Sequence, residues 1–321
     1  ILGSIEKARH DDRIKCIYLD LSIVNGGMAD VEEIRNALLA FRDSSDKPVY
    51  AYGDMFDQKA YYLATASDKI VLNPYGAIDF RGLGGEVTFF KNALEKLGVE
   101  MQIVRHGKFK AAVEPFMLEK MSDENREQTM TYLTSMWNQM LQGISKERNL
   151  PIDSLNKLAD EVLTFRRAER ALEAGMVDAL KYKDEVLDDL REITGVNDNK
   201  GIPVIGVSDY SKVQHVKSGN HPFSRNKIAV IYASGEIGVP VSAAEGISRD
   251  KLSREIRKVR QDSSYKAIVL RVDSPGGSAY DSEVIWREMK LAAEEKVVVV
   301  SMGDVAASGG YYIACAADMI Y

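Results

Sequence analysis

Residues 297–313 decide how this chain is read: Val297-Val298-Val299-Val300-Ser301-Met302-Gly303-Asp304-Val305-Ala306-Ala307-Ser308-Gly309-Gly310-Tyr311-Tyr312-Ile313. The unbroken β-branched run predicts a buried parallel strand, and the small residues after it leave room for a tight turn into a helix over 308–317. Ser308 falls where strand gives way to helix, and two roles are open to it there. As an N-cap its hydroxyl would accept from a first-turn N–H. As a nucleophile attacking a carbonyl it would form an oxyanion, which unpaired N–H groups at a helix start favour.

This stretch has a twin. Gly53, Asp54, Tyr61, Tyr62, Ala64, Ala66 and Asp68 each recur 250 residues later, as Gly303, Asp304, Tyr311, Tyr312, Ala314, Ala316 and Asp318. Gly26-Gly27 and Glu33 fall on Gly276-Gly277 and Glu283 at the same offset. After a one-residue slip Ile5, Lys7, Arg9, Asp11, Lys15, Ile17 and Leu19 fall on Ile256, Lys258, Arg260, Asp262, Lys266, Ile268 and Leu270. So long a period excludes a solenoid and implies a duplicated domain.

Each copy reads helix, strand, Gly-Gly turn, helix, strand, small-residue turn, helix. In the second copy these fall near 249–261, 266–272, 273–278, 280–293, 297–302 and 308–317, preceded by a strand at Lys227–Tyr232. Strands alternating with helices of this length predict an α/β fold of right-handed βαβ units on parallel sheets. The expected division is a first repeat with a helical extension over 1–200, a linker over 201–225, and a second repeat over 226–321. The first copy's opening strand would precede Ile1, and Asp318-Met319-Ile320-Tyr321 matches Asp68-Lys69-Ile70-Val71 with more of the first copy to follow, so a fragment of a longer protein is expected. Between the copies Ser122 starts a helix whose Leu133, Trp137, Met140 and Ile144 form a packing stripe, and Gly175 marks a helix end.

Composition sets the outer bounds. With 45% hydrophobic and 28% charged residues the chain is ordinary globular material, long enough for two domains. A net charge of −6 and no basic cluster argue against a nucleic-acid partner. The two cysteines, Cys16 in a predicted strand and Cys315 in a predicted helix, imply neither a disulfide framework nor a zinc site and are expected to be buried small hydrophobes. No metal and no cofactor is called for.

A serine nucleophile needs a base, and the histidines are poorly placed: His10 in a charged helix, His106 in a loop, His215 and His221 in the polar linker. A lysine kept neutral by burial or a nearby cation is the recognised substitute, but periodicity does not choose one. Asp273-Ser274-Pro275-Gly276-Gly277-Ser278 is explained as a Pro-Gly turn, yet an unobstructed glycine N–H there could also join the N–H after Ser308 in an oxyanion hole.

Arg271-Val272-Asp273-Ser274-Pro275-Gly276-Gly277-Ser278, followed by Gly303-Asp304-Val305-Ala306-Ala307-Ser308-Gly309-Gly310-Tyr311-Tyr312, resembles the signal peptide peptidase A family, serine proteases of the Clp/crotonase fold. Gly107-Lys108-Phe109-Lys110-Ala111-Ala112-Val113-Glu114-Pro115-Phe116 resembles the segment carrying that family's catalytic lysine. The resemblance covers essentially the whole chain and includes the duplication of the family's long form. It implies Ser308 as nucleophile, Lys110 as general base with Lys108 the alternative, and Gly277 and Gly309 as oxyanion donors.

Gln58 stands where Ser308 stands, so the first copy lacks a nucleophile, and the lysine's second-copy equivalent would lie past Tyr321. The dyad would therefore join two repeats, within one chain or across subunits. The resemblance further implies cleaved signal peptides or other apolar unfolded peptides as substrates, and a homo-oligomer, a tetramer in ring or dome form. It also implies a bacterial inner-membrane location facing the periplasm, through an anchor upstream of Ile1. The rival expectations are a crotonase-type acyl-CoA hydratase or isomerase, working through carboxylates, and a non-catalytic scaffold.

Overall fold

The computed structural model describes residues 1–196, 201–214, 226–240, 242 and 245–321; His215, His221 and the rest of 215–225 lie outside the described residues. The chain divides into two compact units, one of Ile1–Asn25 and Ile34–Ser211, the other of Gly26–Glu33 and Lys212–Tyr321.

The first unit runs α1 (Leu2–Arg9), β1 (Ile17–Asp20), α2 (Met28–Ser44, from Ile34 onward), β2 (Val49–Phe56), α3 (Gln58–Ala64) and β3 (Lys69–Ile78). It continues through α4 (Lys91–Lys96), a 3-10 turn (Ala111–Val113), α5 (Glu114–Met117), α6 (Asp123–Arg148), α7 (Ile152–Asp160), α8 (Ala168–Glu173), β4 (Ala179–Leu180), α9 (Lys183–Thr194) and α10 (Val207–Lys212). Its sheet is parallel in the order β1-β2-β3-β4. Both faces are covered. Tyr50, Tyr52 and Val71 pack with Val186 and Leu190 of α9 on one face, while Val49, Ala51, Ile70 and Leu72, on the alternate positions, are fully buried on the other.

Ser122 starts α6 as expected, its Oγ accepting from Asn125 N at 3.1 Å. The stripe on that helix packs: Met140 and Ile144 are fully buried, and Trp137 lies 5.2 Å from the ring of Phe80. Gly175 follows α8 at φ 73°, a left-handed helix end. The stretch read as linker contains α10, whose Tyr210 is buried. The Tyr210 hydroxyl donates to Asp11 at 3.0 Å, and Lys7 Nζ donates to its carbonyl.

The second unit contains β5 (Lys227–Ser234), α11 (Arg249–Gln261), β6 (Tyr265–Ser274), α12 (Ala279–Ala293), β7 (Val297–Ala306), α13 (Gly309–Ala314) and β8 (Met319–Ile320), with a parallel sheet in the order β5-β6-β7-β8. Ile268, Leu270, Val272, Val298 and Val300 meet Ile256, Ile285, Met289 and Ile313 of the helices in its core. The valine run is not buried throughout. Val298 and Val300 are, but Val297 is 53% exposed and Val299 half-buried, because α11, α12 and α13 pack on one face only. The other face of the edge strand β5 exposes Ile228, Val230 and Tyr232.

The helix expected over 308–317 is confined to Gly309–Ala314. Cys315, expected buried, caps that helix and is exposed; Ile313 and Ala314 are the residues on its inward face. Cys16 is half-buried just before β1. Asp68 and Asp318, paired by the 250-residue offset, make the same bonds: Asp68 accepts from Val49 N and its N–H donates to Val49 O, and Asp318 does so with Val298.

Candidate active site

β7 sits between β6 and β8 and delivers Ser308 to the point where the strand turns into α13. Ser308 is exposed and has φ 52° and ψ −118°. A side-chain-bearing residue holds such a conformation at a cost of about 1–3 kcal/mol, and only where its surroundings over-determine it. Ser308 occupies the N-cap position, yet its side chain makes no cap hydrogen bond. The capping role is thereby removed, and what stands there is a strained, outward-facing hydroxyl on a strand-to-helix turn, the geometry of a nucleophile elbow.

Two glycines lock that turn. A Cβ on Gly309 would lie 2.5 Å from Ser282 Oγ, and one on Gly310 would lie 2.5 Å from the Ser274 carbonyl. At Gly310 the clash is with backbone, so nothing larger fits there without moving the 274–277 loop. Ala307 N donates to Ser274 O at 3.0 Å, tying the loops together.

The 274–277 loop is itself braced. Ser274 is fully buried; its Oγ donates to Gly235 O at 2.6 Å and accepts from Gly276 N at 3.1 Å. Ile237 N donates to Gly276 O and Ser278 N to Ile237 O, at 2.8 and 2.9 Å. Gly276 and Gly277 have φ 97° and 151°, and a Cβ on Gly277 would sit 2.0 Å from the Ile237 carbonyl. Gly309 approaches closely enough that its added Cβ would lie 3.3 Å from Gly277 N. Among the described residues neither Gly277 N nor Gly309 N donates to a protein acceptor. The structure thus brings Ser308, Gly277 and Gly309 together and leaves two donors unengaged. Ser274 and Ile237, which hold this arrangement, were not singled out from sequence; Ile237 reaches the loop through a contact that no local pattern signals.

The twin positions are filled. Gly27 N donates to Asp304 Oδ2 at 2.7 Å and Asp30 N to Asp304 Oδ1 at 3.1 Å, all within the second unit. Gly27 N is therefore engaged where Gly277 N is not. Burial and the neighbouring carboxylates of Asp304 and Glu33 raise the Asp30 pKa against the opposing Arg271, which pairs with Asp30 at 3.6 Å and with Glu33 at 2.5 Å. Gln58 is spent on structure: its Oε1 accepts from Arg81 N and Gly82 N, and its Nε2 donates to Gly82 O.

Lys110 lies in the first unit, at the residue before the Ala111–Val113 turn, and is exposed there. Among the described residues it has no hydrogen-bond or ion-pair partner, whereas Lys108 stands 3.6 Å from Glu124. Four residues on, Glu114 is fully buried and accepts from Ser122 N, Ser122 Oγ and Asn125 Nδ2, with Arg105 at 3.7 Å. Burial opposes its ionisation, but these donors and the guanidinium outweigh burial and hold the carboxyl below its usual range. Among the described residues no group of three or more His, Cys, Asp or Glu side chains is arranged to hold a metal, and no helix is long and apolar enough to cross a membrane.

The sequence profile of peptidase family S49 matches residues 41–197 and 290–321. The chain is 36% identical to "Serine protease SPPA, chloroplastic" of Arabidopsis thaliana, over 98% of this chain and 46% of that protein. It is also 36% identical to "Protease 4" of Haemophilus influenzae and to "Protease 4" of Salmonella typhi, over the whole of this chain and 53% and 52% of theirs. It spans about half the length of these relatives.

Proposed function

The chain belongs to peptidase family S49, and from that premise we propose that it is part of a serine endopeptidase with Ser308 as nucleophile and Lys110 as general base. The observation that carries this is the exposed, uncapped Ser308 at φ 52°, beside two glycine N–H groups that no acceptor among the described residues uses. Neutral Lys110 takes the hydroxyl proton as Oγ bonds to the scissile carbonyl carbon. Gly277 N and Gly309 N hold the oxyanion. The C–N bond breaks as Lys110 returns the proton to the departing amine, and water, deprotonated by the same lysine, releases the acyl group. This requires Lys110 and Ser308 to meet, within one chain or across subunits.

The two sheets are read as copies of one unit, the first having lost its nucleophile to Gln58. A homo-oligomer at the outer face of a bacterial inner membrane, acting on cleaved signal peptides or other apolar unfolded segments, completes the reading. It is supported by the family's motifs at 271–278, 303–312 and 107–116. The test is labelling by a fluorophosphonate probe. Wild type is expected to label, and Ser308→Ala and Lys110→Ala to fail. Labelling that survives loss of Ser308, or is unaffected by loss of Lys110, refutes the dyad and returns the chain to a carboxylate enzyme or a scaffold.

A further inference from the structure

Lys110 sits on an exposed segment, and a base on a loose loop is a poor base, since a misplacement of about 1 Å costs roughly 10²-fold in rate. The 105–117 segment contains one fully buried charged side chain, Glu114. Its backbone N–H closes the Ala111–Val113 turn on Ala111 O, directly after Lys110. Its carboxylate takes donors from Ser122 and Asn125, the first turn of α6, and the far end of that helix is pinned in the core by Met140 and Ile144. Ser122 serves both sides, since its hydroxyl donates to Glu114 and accepts from Asn125 N. Arg105 adds a tie on the other side of Lys110. A carboxylate with this many charge-assisted bonds, shielded from water, is a rigid anchor.

We propose that Glu114 is the positioning residue for Lys110: its buried carboxylate joins the lysine-bearing turn to the start of α6 and so sets where the base stands. This rests on Lys110 being the base. Glu114 touches no reacting atom, so its loss acts on the chemical step and leaves substrate affinity alone.

The test uses the full-length protein as wild type, Glu114→Gln, Asn125→Ala, Lys110→Ala and Ser308→Ala. It reads fluorophosphonate labelling rate, kcat and KM on an unfolded apolar peptide, and tryptic cleavage after Lys108 and Lys110. Glu114→Gln keeps the size but loses the charge and one of the two acceptor oxygens. It is expected to lower labelling and kcat by about 10–100-fold with KM within about twofold, and to speed cleavage at the two lysines. Asn125→Ala keeps a good helix former and removes one donor to Glu114; it is expected to act in the same direction by several-fold, and it carries the test should Glu114→Gln fail to fold. Labelling and kcat within about threefold of wild type in both variants, an effect falling on KM, or unchanged cleavage at Lys108 and Lys110 overturns the inference. If Lys110→Ala labels like wild type, the Ser–Lys reading itself has failed, whatever Glu114 does.

Discussion

If Ser308 is held in a strained backbone for the sake of its hydroxyl, removing the side chain in two steps separates catalysis from strain. Ser308→Ala deletes a hydroxyl that makes no cap hydrogen bond on an exposed residue, so it is expected to change stability by less than about 0.5 kcal/mol. Ser308→Gly also relieves φ 52°, ψ −118°, a gain of about 1–3 kcal/mol, offset by about 0.4–1 kcal/mol for the greater freedom of glycine in the unfolded chain. The glycine variant is therefore expected to exceed the alanine variant by about 0–2.5 kcal/mol, against the usual order at an unstrained site, where glycine is worse by about 0.5–1 kcal/mol. The assay is urea unfolding followed by Trp286, which stacks on Tyr312 with ring centroids 6.2 Å apart, in a Trp137→Phe background so that the other tryptophan is silent. With a slope of about 1–3 kcal/mol per molar, a 1 kcal/mol gain moves the midpoint by roughly 0.3–1 M. Both variants are expected to be inactive. A glycine variant clearly less stable than the alanine variant would refute the claim that this turn stores strain.

Gly277→Ala places a methyl where a Cβ would meet the Ile237 carbonyl at 2.0 Å, so the loop shifts and its N–H leaves the hole. Turnover is expected to fall roughly 10²–10³-fold, and a rate within threefold of wild type would remove Gly277 from the oxyanion site. The first unit has a pH-dependent tie in Asp189, which accepts from Tyr50 Oη at 2.6 Å, Lys181 Nζ at 2.7 Å and Lys69 Nζ at 3.0 Å. Burial opposes ionisation there, but Lys181, Tyr50 and Lys69 outweigh it and bring the carboxyl to about 2. A depressed pKa contributes stability present above the ordinary value near 4 and lost as pH falls from there toward about 2. The loss is expected to be on the order of 1–2 kcal/mol after solvent screening, and acid melts of Asp189→Asn that show the same decline as wild type would contradict it.

Much of the architecture was legible because it rests on local preference. The valines of 297–300 made a strand and Ser122 capped a helix at its expected place. The glycines of 276–277 made a turn with positive φ. These follow from side-chain sterics and turn chemistry acting within a few residues. What stayed hidden depends on partners far along the chain. The valine run by itself predicts a buried strand, but burial depends on which helices land on a sheet, and here α11, α12 and α13 cover one face. Cysteine is commonly buried, but the place of Cys315 at the end of α13 turns it outward. The polar composition of 201–225 predicts a linker and carries no sign of Tyr210 meeting Asp11 and Lys7 some 200 residues earlier.

The site divides along the same line. By itself the sequence determined the residue types: a serine and glycines after a strand, a Gly-Gly turn from its neighbour, a lysine-bearing segment in the other half, and glutamine in place of the serine's twin. Only the tertiary structure decided that Ser308 is a strained and uncapped residue, that Gly277 N and Gly309 N stand unengaged among the described residues while Gly27 N is taken by Asp304, and that Glu114 is buried beside the lysine turn. Identity is written in the chain, but backbone strain and the choice between an engaged and a free N–H depend on atoms that folding brings in from Gly235, Ile237, Ser282 and Ser122. That is the physical reason the serine could be named from sequence while its geometry could not.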